Sequence, residues 1–357
     1  VNLIGEHTDY NDGFVLPVAL DLQCEVRATP RADGRLSARA LDLGPAEASW
    51  TIAELSDPEP KRDWSDYVAG VAQQVARRGV ALPALDLDIR SSVPIGAGLS
   101  SSAALEVAVA LALTSWSGSK VDGRELALLC QQAETEFIGR QCGIMDQFAA
   151  VFGRRGHALL VDCRSLECEL VAVPRDVEIV VVDSGVKHEL ANSEYNVRRS
   201  ECERAAAKLG RALRDVSVEE WPELEDRLDE PVRGRARHIV HENQRVLDFV
   251  EAARSGDLPR MGELMAESHA SLAKDYEVSC AELDFLVETA AAIDGVAGAR
   301  MTGGGFGGCT VNLVQPGAVD EFREAVAGAY EARFDRRPPI YVCNSADGAR
   351  EQTRTAA

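Results

Sequence analysis

Three stretches of this chain gather residues able to do chemistry. In residues 1–13, VNLIGEHTDYNDG, the polar residues Glu6, His7, Asp9, Tyr10, Asn11 and Asp12 crowd just after an apolar start. Carboxylates and an imidazole suit sugar hydroxyls, which donate and accept hydrogen bonds together. By itself the stretch reads equally as a solvated turn. Residues 94–108, PIGAGLSSSAALEVA, join glycines to serines at a helix start. Gly96 and Gly98 allow close backbone approach and positive φ. Ser100, Ser101 and Ser102 fall where a helix N-cap and first turn would lie. Unpaired N–H groups there, with the helix dipole, make an anion site without a cationic side chain. A buried, capped helix with a flexible lead-in is the other reading. The G-K-[ST] ending of a P-loop is missing, and Ser101 stands at the third glycine position of a Rossmann fingerprint. The companion motifs of protein kinases are also missing. In residues 302–314, TGGGFGGCTVNLV, five of the six residues from 303 to 308 are glycine. Such a loop either lies against a ligand or turns tightly between packed elements.

The elements that must position these stretches are legible from periodicity. Leu22, Cys24 and Val26 alternate with polar residues, as in a half-buried strand. Asp33-Gly34 then supplies a turn before Leu36, Ala38 and Ala40, as in a hairpin. Leu85, Leu87 and Ile89 form a strand that feeds the Gly/Ser stretch. Residues 103–116 are apolar nearly all round, so that helix should be buried. Residues 121–139 read as a further helix, and residues 56–63 as a proline-broken surface loop. The run of β-branched residues at 177–182 predicts a buried strand. Helices are expected over 193–209 and 236–253, and Leu283, Leu286, Val287 and Ala290 keep helical spacing. A strand over 310–314, a helix over 318–334 and a strand over 340–343 close the chain. The boundary between two domains is expected near Pro174.

Composition narrows the partners. The chain has 357 residues, which at roughly 100–200 per domain suggests two domains. It carries 58 acidic and 38 basic residues, for a formal net charge of −20. That balance argues against nucleic acid and anionic membranes, both of which call for clustered Lys and Arg. An anionic ligand would be repelled by the overall field, so an anion site must be built from N–H groups, a helix terminus or a metal ion. The nine cysteines show no C-x-x-C spacing. Free thiols in a reducing cytoplasm are expected rather than a disulfide framework or a zinc site. The longest apolar stretch, residues 103–113, is interrupted by Glu106 and is too short for the ~20 residues of a bilayer span.

Together the three stretches resemble the galactokinases, within the GHMP family of small-molecule kinases. CGIMDQF at 142–148, SEYNVRR at 193–199, RARHIVHEN at 235–243 and ESHASLAKDYEVS at 267–279 extend the resemblance over nearly the whole chain. It implies an α/β (α+β) two-lobed GHMP-kinase fold. The N-terminal lobe, residues 1–174, would hold a mixed sheet with helices. The C-terminal lobe, residues 175–357, would hold a ferredoxin-like sheet, with the active site between them. It also implies ATP-dependent phosphorylation of the anomeric hydroxyl of α-D-galactose, with Mg²⁺.

Residue roles follow from the same resemblance. Asp146 would be the catalytic aspartate, accepting or polarising the proton of the attacking hydroxyl. With a reference pKa of about 3.9 it is a weak base, so positioning could carry much of the rate. Sugar contacts would fall on Glu6, His7, Thr8, Asp9, Gly143, Asp146 and Tyr195. ATP phosphates would meet Gly96, Ala97, Gly98, Leu99, Ser100, Ser101 and Ser102. Magnesium would take Ser102 and Glu134 and keep several waters. Trp64 would border the adenine pocket or pack in the core, and His238 and His241 read as packing and capping residues. The family also has an arginine, in a Pro-Gly-Arg segment, just before the residue matching Val1, so an upstream extension is expected. A cytoplasmic monomer is expected, with a weak homodimer left open. Two other functions stay open: a non-catalytic galactose and ATP sensor, or a sibling kinase for N-acetylgalactosamine or another small molecule. The intact SSSAA at 100–104 favours an enzyme.

Overall fold

The computed structural model describes residues 1–186 and 191–352. The strands are β1 Phe14–Val15, β2 Cys24–Pro30, β3 Arg35–Ala40, β4 Ala46–Thr51, β5 Leu85–Ser91, β6 His157–Asp162, β7 Glu167–Ala172, β8 Glu178–Asp183, β9 Val296–Thr302, β10 Cys309–Val314 and β11 Ile340–Cys343. The helices are α1 Ser65–Arg77, α2 Ser101–Ser117, α3 Gly123–Gln132, α4 Met145–Phe152, α5 Ala191–Leu209, α6 Trp221–Leu224, α7 Val232–Ser255, α8 Leu258–Lys274, α9 Ala281–Ala291 and α10 Val319–Phe334.

Two compact units emerge. Unit 1 holds residues 1–21, 96–99 and 154–346; unit 2 holds 22–95, 100–153 and the residues from 347 on. Pro174, the expected boundary, lies inside unit 1. A cut there does not separate the units, because the N-terminal segment bonds within unit 1 to residues far beyond it, the Gly5 N–H to Glu242 and the Gly303 N–H to Glu6. The chain therefore passes between units more than once.

In unit 2 the sheet order is β2-β5-β3-β4, with β3 and β5 parallel and the other pairs antiparallel. This corrects the hairpin expected at Asp33-Gly34. The turn reverses the chain, yet β5 inserts between β2 and β3, pairing Val26 with Ile89 and Ala38 with Leu87. Burial decides the order. Leu85, Leu87 and Ile89 face a core made with Leu36, Trp50, Val71, Val75, Val107 and Leu113. Each such side chain contributes roughly 1.5–3 kcal/mol when buried, more than a local turn preference. Helix α2 runs through this core, and Trp64 packs against it at the edge. Helix α3 is capped by Asp122, whose carboxylate accepts the Glu125 N–H at 2.9 Å. The expected single helix over 121–139 changes character at its C-terminal end. Ala133–Ile138 is π-helical, and it carries Glu134. Such wide turns recur at functional sites.

In unit 1 the main sheet has the order β11-β8-β10-β9, all antiparallel. That is the βαββαβ order of a ferredoxin-like sheet. The β-branched run becomes β8, one of its two central strands, with Val180, Val181 and Val182 buried. On this sheet Leu286, Phe322, Val326 and Tyr330 of α9 and α10 pack with Val180 and Val182. A second core joins α5, α7 and α8 with Tyr276, Val278 and Met301.

Candidate active site

Within unit 1 the N-terminal segment is a tight, internally bonded loop. The Thr8 hydroxyl, fully buried, lies 2.8 Å from the Gly5 carbonyl oxygen and 2.6 Å from that of Phe14. From α7, Glu242 accepts the Gly5 N–H at 3.0 Å and Asn243 accepts the Phe14 N–H at 3.0 Å. These bonds hold His7 at φ +65°, a left-handed backbone that costs a side chain roughly 1–2 kcal/mol. Asp9 opens the short 3-10 turn Asp9–Asn11 and is half-buried, one carboxylate oxygen accepting the Tyr10 N–H at 2.9 Å.

Glu6 is buried and engaged at both oxygens. Its Oε1 accepts the Gly303 N–H at 2.7 Å and lies 3.3 Å from Nη1 of Arg300; its Oε2 accepts the Asn2 amide. Burial pushes its pKa up, against the opposing pull of Arg300. Arg300 on β9 is fully buried; Nη1 also donates to the Leu3 carbonyl at 3.2 Å, while Nε and Nη2 have no partner among the described residues. His238 on α7 donates from Nε2 to the Glu6 carbonyl at 3.1 Å and meets the Ser271 hydroxyl at Nδ1, 3.0 Å away. Burial lowers its pKa to about 4. It packs and braces the loop rather than binding metal.

His7 sits among aromatic rings. Its Nδ1 lies 2.8 Å from the Tyr10 hydroxyl, which lies 2.8 Å from that of Tyr276. Its ring centroid is 4.6 Å from Tyr276 and 5.6 Å from Tyr195. Burial, then the nearby His238 and Arg198, hold its pKa well below the ordinary 6.5, so the ring is neutral. The buried Nε2 has no partner among the described residues. A neutral imidazole with one unused nitrogen beside aromatic faces suits an uncharged hydroxylic ligand.

The two glycine stretches meet inside unit 1. The Cys309 thiol donates to the Ala97 carbonyl at 2.7 Å, and Gly98, at φ +76°, lies against Gly308. Gly305, at φ +80°, has room for no side chain: a Cβ there would come within 2.3 Å of the Val278 carbonyl oxygen. Packing explains that glycine, while Gly303 offers its N–H to Glu6 and Gly304 lies beside the Tyr195 ring. The Gly/Ser stretch is divided: Gly96, Ala97, Gly98 and Leu99 fall in unit 1, and Ser100 onward in unit 2. Ser100 is the N-cap of α2 at φ +57° and makes no side-chain cap bond. Ser101 and Ser102 open the helix. The first-turn N–H groups of α2 thus lack a serine cap from position 100, as an anion site requires.

In unit 2, α2, the π-helical segment and α4 bring together Ser102, Glu106, Glu134 and Gln147. Glu134 is buried, and its carboxylate accepts from Gln147 Nε2 at 3.1 Å and from the Ser102 hydroxyl. Arg140 lies 3.6 Å away. Burial raises the Glu134 pKa, Arg140 opposes it and Asp146 adds to it. Glu106 is fully buried, and its pKa is raised well above the ordinary range by burial and then by Glu134. Asp146 lies in the first turn of α4, half-buried, with Ile144 rather than itself at the N-cap. Gly143, also half-buried, precedes that helix.

This oxygen-rich set fits a hard divalent cation. Glu106 Oε1 and Gln147 Oε1 are buried without partners among the described residues. Carboxylate, amide and hydroxyl oxygens are the donors that Mg²⁺ takes. Among the described residues no group of three His, Cys, Asp or Glu side chains is arranged to hold a metal alone. Two protein ligands plus phosphate and water oxygens match that limit.

Sequence reasoning passed over Asn2, Arg300, Tyr276, Glu242 and Gln147. Arg300 had one signal, a charge in a strand leading into the glycine loop. In the sequence Glu106 marks only an interruption of an apolar helix.

Comparison with known proteins agrees with this architecture. Residues 1–30 match the model of the galactokinase galactose-binding signature. Residues 66–154 match the GHMP kinases N terminal domain, and residues 249–332 the GHMP kinases C terminal domain. The chain is 49% identical over 354 residues to a galactokinase of Roseiflexus sp. (strain RS-1), covering 98% of this chain and 90% of the relative. The crystal structure of Lactococcus lactis galactokinase complexed with galactose superposes with a TM-score of 0.93 at 37% identity, over 97% of this chain and 92% of that one. A Methanococcus jannaschii mevalonate kinase shares the fold, with a TM-score of 0.70 at 17% identity over 97% and 96% of the two chains. With its signature loop, its ferredoxin-like sheet and near full-length identity all in agreement, the chain belongs to the galactokinase family of GHMP kinases.

Proposed function

We propose that this chain transfers the γ-phosphoryl group of ATP to the anomeric hydroxyl of α-D-galactose, giving galactose 1-phosphate and ADP. The observation that carries the reading is near full-length likeness to a galactokinase, together with the galactose-binding signature over residues 1–30. Unit 1 supplies the sugar set. His7, with its unused Nε2, Asp9 and Tyr195 contact hydroxyls, while Glu6 and Thr8, engaged by protein groups, keep the loop in shape. Gly143 and Asp146, on the loop before α4 and in its first turn, are the further sugar contacts that the family likeness implies.

Asp146 accepts or orients the proton of the anomeric hydroxyl as that oxygen attacks the γ-phosphorus; the P–O bond to the ADP leaving group breaks. Gly96, Ala97, Gly98, Leu99, Ser100, Ser101 and Ser102 present backbone N–H groups to the phosphates. Ser102 and Glu134 would hold Mg²⁺, which when bound would neutralise charge on the phosphate oxygens. In a chain of net charge −20 the phosphates are then met by N–H dipoles and a cation rather than by a basic surface. The protein acts as a monomer in the cytoplasm, where reduced thiols suit its nine free cysteines. Among the described residues no helix is long and apolar enough to cross a membrane.

ADP release across a panel of sugars tests the reading. Release is expected with galactose and far less with N-acetylgalactosamine or mevalonate. No release with galactose would overturn it.

A further inference from the structure

A carboxylate inside an apolar helix needs a reason. Helix α2 is apolar on nearly every side, yet Glu106 lies within it and is fully buried. Its hydrogen-bond donor is the side-chain amide of Gln147, at 3.3 Å from Oε2. The same nitrogen donates to Oε2 of Glu134 at 3.1 Å. An amide NH₂ has two hydrogens about 120° apart, so one can go to each carboxylate. Two acidic side chains from different helical segments are thereby held to one donor. Turning the amide over would set its oxygen against both carboxylates, so its orientation is fixed. A like-charge pair without nearby compensation is unfavourable when buried; Arg140, 3.6 Å from Glu134, offsets only part of it.

We propose that Glu106 is a positioning residue for the divalent cation. It anchors the Gln147 amide, and that amide sets the rotamer of the cation ligand Glu134. Gln147 is the neighbour of Asp146 on α4, so the same tether steadies the first turn that carries the proposed catalytic group. The proposal rests on the assignment of Glu134 to the cation. It accounts for a buried acidic side chain on α2 and for a glutamine joining two acids.

The test uses Mn²⁺ as the cation probe, with binding to the protein–ADP mixture followed by electron paramagnetic resonance and galactose binding followed by calorimetry. Glu134→Ala is the control: unchanged Mn²⁺ affinity in it overturns the cation assignment itself. Glu106→Met keeps length and burial but removes the anchor, and Gln147→Asn shortens the bridge without altering either acid. Each is expected to weaken Mn²⁺ binding roughly tenfold and to leave galactose affinity within twofold. Glu106→Gln keeps an oxygen for the Gln147 amide and is expected to stay within threefold of the unmodified protein. Normal Mn²⁺ affinity in both Glu106→Met and Gln147→Asn, with Glu134→Ala impaired, overturns the proposal. Equal loss of Mn²⁺ and galactose binding would also overturn it, because it would mark a general folding role. If Glu106→Met does not fold, Gln147→Asn and Glu106→Gln decide the matter.

Discussion

The signature loop of unit 1 and the acidic cluster of unit 2 bury ionisable groups in opposite ways. Around the loop, charges are matched within the protein. Glu6 faces Arg300, Glu242 faces Arg245 at 2.7 Å, and two buried histidines are neutral. In unit 2, burial and neighbouring acids raise Glu106 and Glu134, while one half-exposed arginine, Arg140, stands nearby. The first arrangement suits an uncharged ligand read by hydrogen bonds. The second crowds acidic side chains whose charged forms are disfavoured, a strain that a cation would relieve. The difference shows how a single chain can prepare for a neutral sugar and a highly charged phosphate by leaving its own charges balanced in one place and unbalanced in another.

Three changes would break or sharpen that contrast. The largest effect is expected at Asp146. Asp146→Ala should lower phosphoryl transfer by about 100- to 10,000-fold, the usual worth of a positioned acid–base group, with its thermal melting point nearly unchanged. Turnover close to normal would remove Asp146 from the chemistry.

Next comes the matched side. Arg300→Met leaves Glu6 buried without its cation, which should cost about 3–5 kcal/mol in urea unfolding. A cost below about 1 kcal/mol would mean that the Glu6–Arg300 pair is not what balances the loop.

The smallest of the three is a pH effect with opposite signs on the two sides. His238 has its folded pKa lowered to about 4 from 6.5. The unfolded chain takes up that proton first, so the stability it contributes is full above pH 6.5 and is lost as pH falls toward 4. The loss is about 3 kcal/mol. Glu242, lowered to about 2 from 4.5, continues the loss at more acid pH. Glu106 and Glu134 are raised instead, so without added cation their contribution is present at low pH and is lost as pH rises. Urea midpoints of the parent protein, His238→Gln and Glu106→Gln between pH 4 and 7 would separate the two. His238→Gln should flatten the acid loss, and Glu106→Gln should raise stability at the neutral end. An unaltered pH profile in both variants would erase the proposed contrast.

Local signals took the sequence a long way. The alternation at Leu85, Leu87 and Ile89, the serines at a helix start and the β-branched run of β8 each report on a few neighbouring residues, and each became the expected element. The hairpin at Asp33-Gly34 failed because a turn sets only where the chain reverses. Which strand lies alongside is decided by burial of the β5 row. Thr8 and Glu6 stood out as polar residues beside a signature, yet their oxygens are occupied by Gly5, Phe14, Gly303, Arg300 and Asn2. Helices α1 and α8 and the pairing of β1 with β6 had no comparable local mark.

What the sequence determined by itself was therefore the family, the anion-ready helix start of α2 and the presence of a carboxylate where an apolar helix would not otherwise tolerate one. What only the tertiary structure decided was the pairing. Glu6 meets a backbone N–H 297 residues away, and Gln147 joins two acids that are 28 residues apart in sequence. The physical reason is range. Backbone propensity and N–H placement act over a few residues, whereas desolvation and charge balance depend on which distant groups fold into contact.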